Sequence, residues 1–331
     1  MFKRLGLFLP VQMPLPDAIR VVQYAELRGF EAIWQAERVL LRDSLVVLAA
    51  LGAVTTRIKL GASVLDPWTR NAGLIATSLV TLDELAPDRI LCGLGGWTDG
   101  EAARVGIARD RPLLALREVT NALSELIAGR IVSRSGEFVT LLNAQIPEHE
   151  MRLQSRRIPI YLGGTAPRTL ALAGELADGA LLNYLVTPAY TRAALNEIRR
   201  GAAVTHRPIE FIDRPQLIAC SVNRNRAQAM AEAQRFVAGA VLAQPALMQA
   251  NGVAASLIDV IVRTASETGL DAAAHLVPEE VLLALMAVGT PDDVRRKVND
   301  YLDAGATSPV LYCIGDDIRF MIDVFTDPYL S

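Results

Sequence analysis

The sequence predicts an α/β protein whose parallel strands close into a (β/α)8 barrel, a TIM barrel with insertions. Three observations carry this. Short β-rich runs alternate with longer helical patterns from end to end, and eight such strand–helix units can be counted. The third observation is size: 331 residues, 51% of them hydrophobic, can bury a large core, and barrels of this length form one domain over 1–331. An open doubly wound sheet is the nearest competing architecture.

"RLGLFLP" (4–10) reads as the first strand, and "PDAIRVVQYAELRGF" as a helix closed by Gly29. "EAIWQ" (31–35) is the second strand, before a helix over 44–56 capped by Asp43 or Ser44. "IKLGASVL" (58–65) and "RILCGLG" (89–95) follow, with a helix over 71–86 between them. "IPIYLGG" (158–164), "GALLNYL" (179–185), "PQLIACSV" (215–222) and "PVLYCI" (309–314) supply the other four strands. Helices fit after each, the last being "DDIRFMIDVF". Two insertions are expected. One spans 129–157 and contains a hairpin over 129–141 turning near Ser135–Gly136. The other, 236–288, is Ala/Leu-rich and helical, placed to cover or flank the barrel mouth. A last helix begins at "GTPDDVRRKV", with Thr290 as cap, Pro291 at the first helical position, and Asp292 and Asp293 opposing the dipole.

Composition narrows the function. A net charge of −3 without a basic block argues against nucleic acid as a partner. The isolated Cys92, Cys220 and Cys313 fit a reducing compartment, hence a cytoplasmic protein. No apolar stretch nears the ~18 residues of a membrane span. The opening run is broken by Pro10, Pro14 and Pro16, so it reads as a strand rather than a signal peptide. His149, His206 and His275 are scattered, and no zinc-type spacing occurs, so no His/Cys metal site is expected. "GASVL" lacks the final glycine of a nucleophile elbow. "GLGGWT" has Thr98 where a dinucleotide fingerprint needs glycine. Without self-contained catalytic groups, a bound cofactor is expected to carry the chemistry.

In a barrel the site lies where strands end. Those ends hold Pro10, Gln35 to Arg38, Ser63 to Asp66, Gly95 to Trp97, Gly163 to Thr165, Asn183 and Asn223. Small residues dominate, and glycines at two ends let backbone amides approach a flat or anionic ligand.

"RGFEAIWQAERVLLRD", "IKLGASVLDPWTRN", "SLVTLDELAPDRILCGLG" and "PIYLGGTAPRTLALAGELADGALLN" together resemble the luciferase-like monooxygenase superfamily. Within it they look most like the coenzyme F420-dependent branch of methylenetetrahydromethanopterin reductases and glucose-6-phosphate dehydrogenases. The resemblance covers 4–200 and returns at 288–306. It implies a homodimeric oxidoreductase that moves hydride between F420 and a small organic substrate. The alternatives are an FMN-dependent monooxygenase on the same barrel and a non-catalytic barrel binding cofactor or partner. The resemblance also implies a third-strand bulge with a non-prolyl cis peptide at Ser63–Val64, backing the ring system beside Asp66. Gly95, Gly96 and Trp97 match the fourth-strand contacts with the cofactor. Gly163, Gly164, Thr165, Ala166 and Arg168 match the site of its phosphate-bearing tail. Trp68 and Asn183 fall on the substrate side. Glu37–Arg38 stands where the family usually has Asp–His, and "GGWT" carries no carboxylate at the fourth strand end. Arginine cannot donate a proton near neutral pH, but it can anchor a carboxylate or polarise a carbonyl. Glu37 and Arg38 are therefore expected as the catalytic pair, Glu37 holding Arg38 and itself meeting the ring.

Overall fold

Parallel strands separated by helices appear where the pattern placed them. The computed structural model describes residues 2–147 and 157–330. The chain divides into two units, Gly6–Leu182 with Ala194–Pro215, and Met1–Leu5 with Asn183–Ala193 and Gln216–Ser331.

The first unit opens with β1 (Gly6–Leu9), α1 (Leu15–Leu27), β2 (Ala32–Gln35), α2 (Ser44–Val54), β3 (Lys59–Leu65) and α3 (Ala72–Leu85). It continues through β4 (Ile90–Leu94), α4 (Asp99–Ala103), α5 (Pro112–Ile127), β5 (Val132–Ser135) and β6 (Thr140–Ala144). Then come β7 (Ile160–Gly163), α6 (Pro167–Leu176), β8 (Gly179–Leu181) and, leading on, α7 (Pro188–Val204). The strand order is β1-β2-β3-β4-β7-β8, every neighbouring pair parallel. β1, β2 and β4 are buried along their whole length, as strands covered on both faces must be. α2, "SLVVLAALGAV", starts at Asp43, whose side chain accepts the Val46 amide at 3.1 Å. Asn71 does the same for α3, accepting from Leu74 at 2.8 Å.

Two charged groups close the ends of this unit where strands begin. Arg89, just before β4, is buried and donates to Thr55 Oγ1 at 2.9 Å, the Ile58 carbonyl at 3.2 Å and the Gly52 carbonyl at 3.1 Å. It thereby takes acceptors from the end of α2 and the start of β3. Glu26 Oε1 accepts the amides of Thr56, Arg57 and Ile58 at 2.9, 2.7 and 2.9 Å.

The second unit holds β9 (Pro215–Val222), α8 (Arg226–Ala243), α9 (Pro245–Ala250), α10 (Ala255–Thr268), α11 (Leu270–Ala274) and α12 (Glu279–Leu285). β10 (Ala287–Gly289), α13 (Pro291–Asp303), β11 (Ser308–Cys313) and α14 (Ile318–Thr326) complete it, with strand order β10-β9-β11. Thr290 caps α13 as expected, in a reciprocal pair with Asp293. Tyr301 is buried and donates to the Val186 carbonyl at 2.6 Å.

Three boundaries differ from expectation. Helix α8 begins at Arg226, so the anticipated start at 236 falls inside it. The same helical stretch closes in β10, paired with β9 through Ala287↔Cys220, a strand of three residues that no periodicity can announce. The β5–β6 hairpin forms, with Ser135↔Thr140 as the pair nearest its turn, and extends to Ala144. The remainder of the expected 129–157 insertion includes 148–156, which with His149 lies outside the described residues.

Candidate active site

At the end of β3 the register with β4 shifts between Ala62 and Leu65, and the Ser63–Val64 peptide is cis, as expected. The Val64 side chain occupies room that two neighbouring strands leave for it. A Cβ on Gly95 would lie 2.6 Å from Val64 Cγ2, and one on Gly163 would lie 2.8 Å from Val64 Cγ1. These glycines are thus required by the protein's own packing. The ends of β3, β4 and β7 form one floor with the bulge set into it.

Asp66 is fully buried and holds two strand ends together. Its Oδ1 accepts the Trp68 amide at 2.9 Å and its Oδ2 the Trp97 amide at 3.0 Å. Both oxygens are engaged by backbone, so Asp66 positions the two tryptophans that flank the floor. Arg109, from the segment between α4 and α5, lies over the Trp68 ring at 5.2 Å and pairs with Asp99 at 2.8 Å. Gly96 passes beneath it, since a Cβ there would sit 2.4 Å from Arg109 Nη2. Trp68 Nε1, Trp97 Nε1, Arg70 Nε and Arg109 Nε are buried donors without a hydrogen-bond acceptor among the described residues.

Glu37 and Arg38 do not hold each other. The Glu37 side chain is only 4% exposed; its Oε2 accepts the Ser44 hydroxyl at 2.9 Å and Arg70 Nη2 at 3.3 Å. Ser44, the first residue of α2, also offers its amide at 3.3 Å, which fixes the carboxylate against the helix start. Burial pushes the Glu37 carboxyl up, against the opposing pull of Arg70 and Ser44. Arg38 is 54% exposed, and its Nε donates to Glu101 Oε1 at 2.8 Å. The backbone explains this direction: Arg38 and Arg42 exchange amide–carbonyl bonds at 3.1 and 3.0 Å in a tight loop. Because β2, β3 and β4 are neighbours in that order, the Arg38–Glu101 pair joins the segments that follow the two outer strands, across the end of β3.

Glu101 is the carboxylate that the reading of "GGWT" missed. It sits on α4, where its Oε2 accepts the Thr98 amide at 3.1 Å and hydroxyl at 2.9 Å. Partial burial raises its carboxyl, but the Thr98 and Arg38 hydrogen bonds outweigh that and hold it below the ordinary range. The signal was present in Thr98-Asp99-Gly100-Glu101, a capping-box pattern that places a carboxylate one helical turn beyond the strand end. Arg70 and Arg109 had no local signal.

Gly163 ends β7, and α6 starts at Pro167 after Ala166, which makes no side-chain cap. Pro167 has no N–H and the Thr169 amide bonds the Ala166 carbonyl at 3.0 Å, so in this first turn the Arg168 amide and the helix dipole are what an anion could meet. Gly164 lies where a Cβ would meet Thr169 at 2.8 Å, so only glycine lets the loop run this close to the helix. Arg168 is exposed on that turn. Asn183 belongs to the second unit. Its Oδ1 accepts the Tyr184 amide at 2.9 Å, and its carbonyl accepts Gln216 Nε2 at 2.6 Å. Among the described residues no group of three or more His, Cys, Asp or Glu could hold a metal, and no helix is long and apolar enough to cross a membrane.

A parallel α/β unit with a cis bulge set between glycines at the strand ends defines an α/β protein with a pre-shaped strand-end floor. The chain belongs to the luciferase-like monooxygenase family, whose model matches residues 4–308. It is 29% identical over 303 residues to 5,10-methylenetetrahydromethanopterin reductase of Methanolobus tindarius, covering 90% of this chain and 91% of that one. It is 28% identical over 321 residues to F420-dependent glucose-6-phosphate dehydrogenase of Nakamurella multipartita, covering 92% and 89%. Among solved structures, the coenzyme F420-dependent tetrahydromethanopterin reductase from Methanopyrus kandleri matches with a TM-score of 0.88 at 24% identity, over 99% of each chain. That likeness shows the fold.

Proposed function

We propose that this chain is a coenzyme F420-dependent oxidoreductase that moves hydride to or from a small organic substrate. The relatives named above support the reading. The observation that carries it is the floor itself: a bulge seated against Gly95 and Gly163 beside an uncapped helix start bearing Arg168. Such a floor fits a flat ring, and the helix start bearing Arg168 beyond it fits an anionic end. Bound there, the deazaflavin would supply a ring carbon that takes or gives hydride.

The chain's own residues then have separable tasks. Ser63, Val64, Gly95, Gly96 and Trp97 back the ring, while Asp66 keeps Trp68 and Trp97 in place. The amides of Gly163, Gly164, Thr165 and Ala166, with Arg168, hold the anionic end. Arg38 uses only Nε toward Glu101, which leaves two Nη groups to fork onto a substrate carboxylate or carbonyl. Glu37, raised by burial, is the carboxyl of this cluster displaced toward its protonated form. Trp68 lies on the substrate side of the floor. The family's name keeps an FMN-dependent monooxygenase as a second reading.

Fluorescence titration of the purified protein with F420 and with FMN separates the two. F420 is expected to bind at least about tenfold more tightly, ~1.4 kcal/mol. Equal or reversed affinities, with aerobic turnover of reduced FMN, would transfer the assignment to the monooxygenase.

The wider architecture is proposed on the same footing: a closed (β/α)8 barrel as one domain over 1–331, with an insertion at 129–157 and a helical one lying between the start of α8 at Arg226 and β10 at Ala287. A homodimer is supported by the neighbouring helices α2 and α3, which expose Val46, Val54, Leu74 and Leu85. Sedimentation at micromolar concentration reads it, a monomer being the contrary result. The free cysteines support a reducing, cytoplasmic setting.

A further inference from the structure

We propose that a cavity at the strand-start end of the second unit is a ligand site of its own. It would take an organic acid with an apolar, aromatic body and a single carboxylate. The cavity measures about 610 Å³, within the range of sites for drug-sized ligands. It lies where β11 begins, between the Phe2–Arg4 segment, one face of α13 and the end of α14. It shares no residue with the strand-end floor, so the inference stands whether or not F420 is the cofactor.

Its walls divide by chemistry. Val324 and Pro328 supply aliphatic surface, and Phe2 and Phe325 add two tilted rings with centroids 5.4 Å apart. Arg295, Asn299 and Leu302 follow one another at i, i+4 and i+7. One face of α13 therefore brings a guanidinium, an amide and an isobutyl group to the same space. Three cations, Lys3, Arg4 and Arg295, line the cavity against one carboxylate, Asp327.

The three cations are not equivalent. Arg295 donates through Nε to the Val324 carbonyl at 2.8 Å, and through Nη2 to the Asp327 and Leu330 carbonyls at 2.9 and 2.7 Å. Its Nη1 meets Asp292 at 3.1 Å. These bonds offset the partial negative charge at the end of α14, which would otherwise oppose an anion. They also fix that wall before a ligand arrives, so binding does not have to order it. Arg4 already has a partner. Lys3 is exposed and has no ion pair or hydrogen-bond partner among the described residues, and the same holds for the Asn299 amide. An incoming carboxylate thus gains an ammonium and an amide donor without displacing anything, while its apolar body covers rings and aliphatic walls. One uncommitted cation matches one negative charge, which favours a carboxylate over a doubly charged phosphate.

The test titrates the purified protein with 1-pyrenebutyrate, followed by its own fluorescence. A parallel titration uses 1-pyrenebutanol, which keeps the body and replaces the carboxylate by a hydroxyl. The wild type is expected to bind the acid saturably and about fivefold more tightly than the alcohol, as an exposed ion pair gives. That preference should shrink as salt rises from about 20 to about 300 mM. Lys3→Gln is expected to bring it below about twofold while the alcohol binds as before, which also reports an intact fold. Asn299→Trp, placing an indole in the cavity from an exposed position, should weaken both ligands about tenfold. Arg38→Gln, at the strand ends, should change neither. Absence of saturable binding of the acid overturns the inference, as does equal affinity for acid and alcohol. A preference that survives Lys3→Gln, or binding that ignores Asn299→Trp, overturns it as well. Loss of the preference in Arg38→Gln would move the acid to the strand ends and remove this site.

Discussion

The two ends of the β2–β3–β4 run carry the same kinds of side chain and spend them differently. Where the strands begin, Arg89 gives its donors to three acceptors and Glu26 takes three amides. Where they finish, Arg38 makes one ion pair while half-exposed, and Glu37 is buried with its carboxyl raised. A charge whose bonds go to the groups at a helix end and a strand start holds the fold. One left partly unused beside a preformed floor is available to a ligand. Net charge or residue type alone would not distinguish the two arginines; their partners do.

The contrast can be broken most forcefully at Arg89. Arg89→Met strands the carbonyls of Gly52 and Ile58 and should lower stability by about 3 kcal/mol, read from the urea midpoint. A loss below about 1 kcal/mol would erase the distinction between the two ends.

Arg38 should behave in the opposite way. Arg38→Ala is expected to reduce turnover about thirtyfold, ~2 kcal/mol in the barrier, while stability moves by less than about 1 kcal/mol. Arg38→Lys keeps the charge but loses the planar fork, so its turnover should fall between the two, with F420 affinity nearly unchanged. Wild-type turnover in both variants would make Arg38 a surface residue.

The smallest effects sharpen the comparison through pH. The Glu37 carboxyl is raised above 4.5, so the native state holds that proton more tightly than the unfolded chain. Ionising it costs stability as pH climbs from 4.5 through the native value, and Glu37→Gln should therefore gain on the wild type over that climb. Glu26 has the reverse sign. Burial raises its carboxyl, but the amides of Ile58, Arg57 and Thr56 outweigh this and set it below 4.5. Its stabilisation is present above 4.5 and lost as pH falls through the native value, so Glu26→Gln should be weaker than wild type at neutrality and converge with it in acid. Thermal melts across pH 3–7 read both; parallel trends would contradict the assigned signs.

Strands, helices and caps were legible because each is written in a few consecutive residues. Thr290-Pro291-Asp292-Asp293 marks a helix start by its own chemistry. The bulge at Ser63–Val64 was legible through family resemblance, since nothing in the dipeptide itself requires it. The partners of Glu37 and Arg38 were not. Arg70 lies 33 residues beyond Glu37, and Glu101 lies 63 residues beyond Arg38, distances at which only the folded sheet decides who meets whom. The Glu37–Arg38 pairing expected from adjacency failed for that reason. Arg109 reaches Trp68 from the segment between two helices, and no periodicity or cap marks it.

The bridge made by Asp66 also bears on how this scaffold can change. One sealed carboxylate sets the spacing of two strand ends through main-chain amides, so that spacing does not depend on what the following side chains are. The segments beyond it, through α4 to Arg109, can accept new residues and lengths while the floor beneath stays in register. A lineage could then exchange substrates by rewriting those segments and inherit its redox partner unaltered.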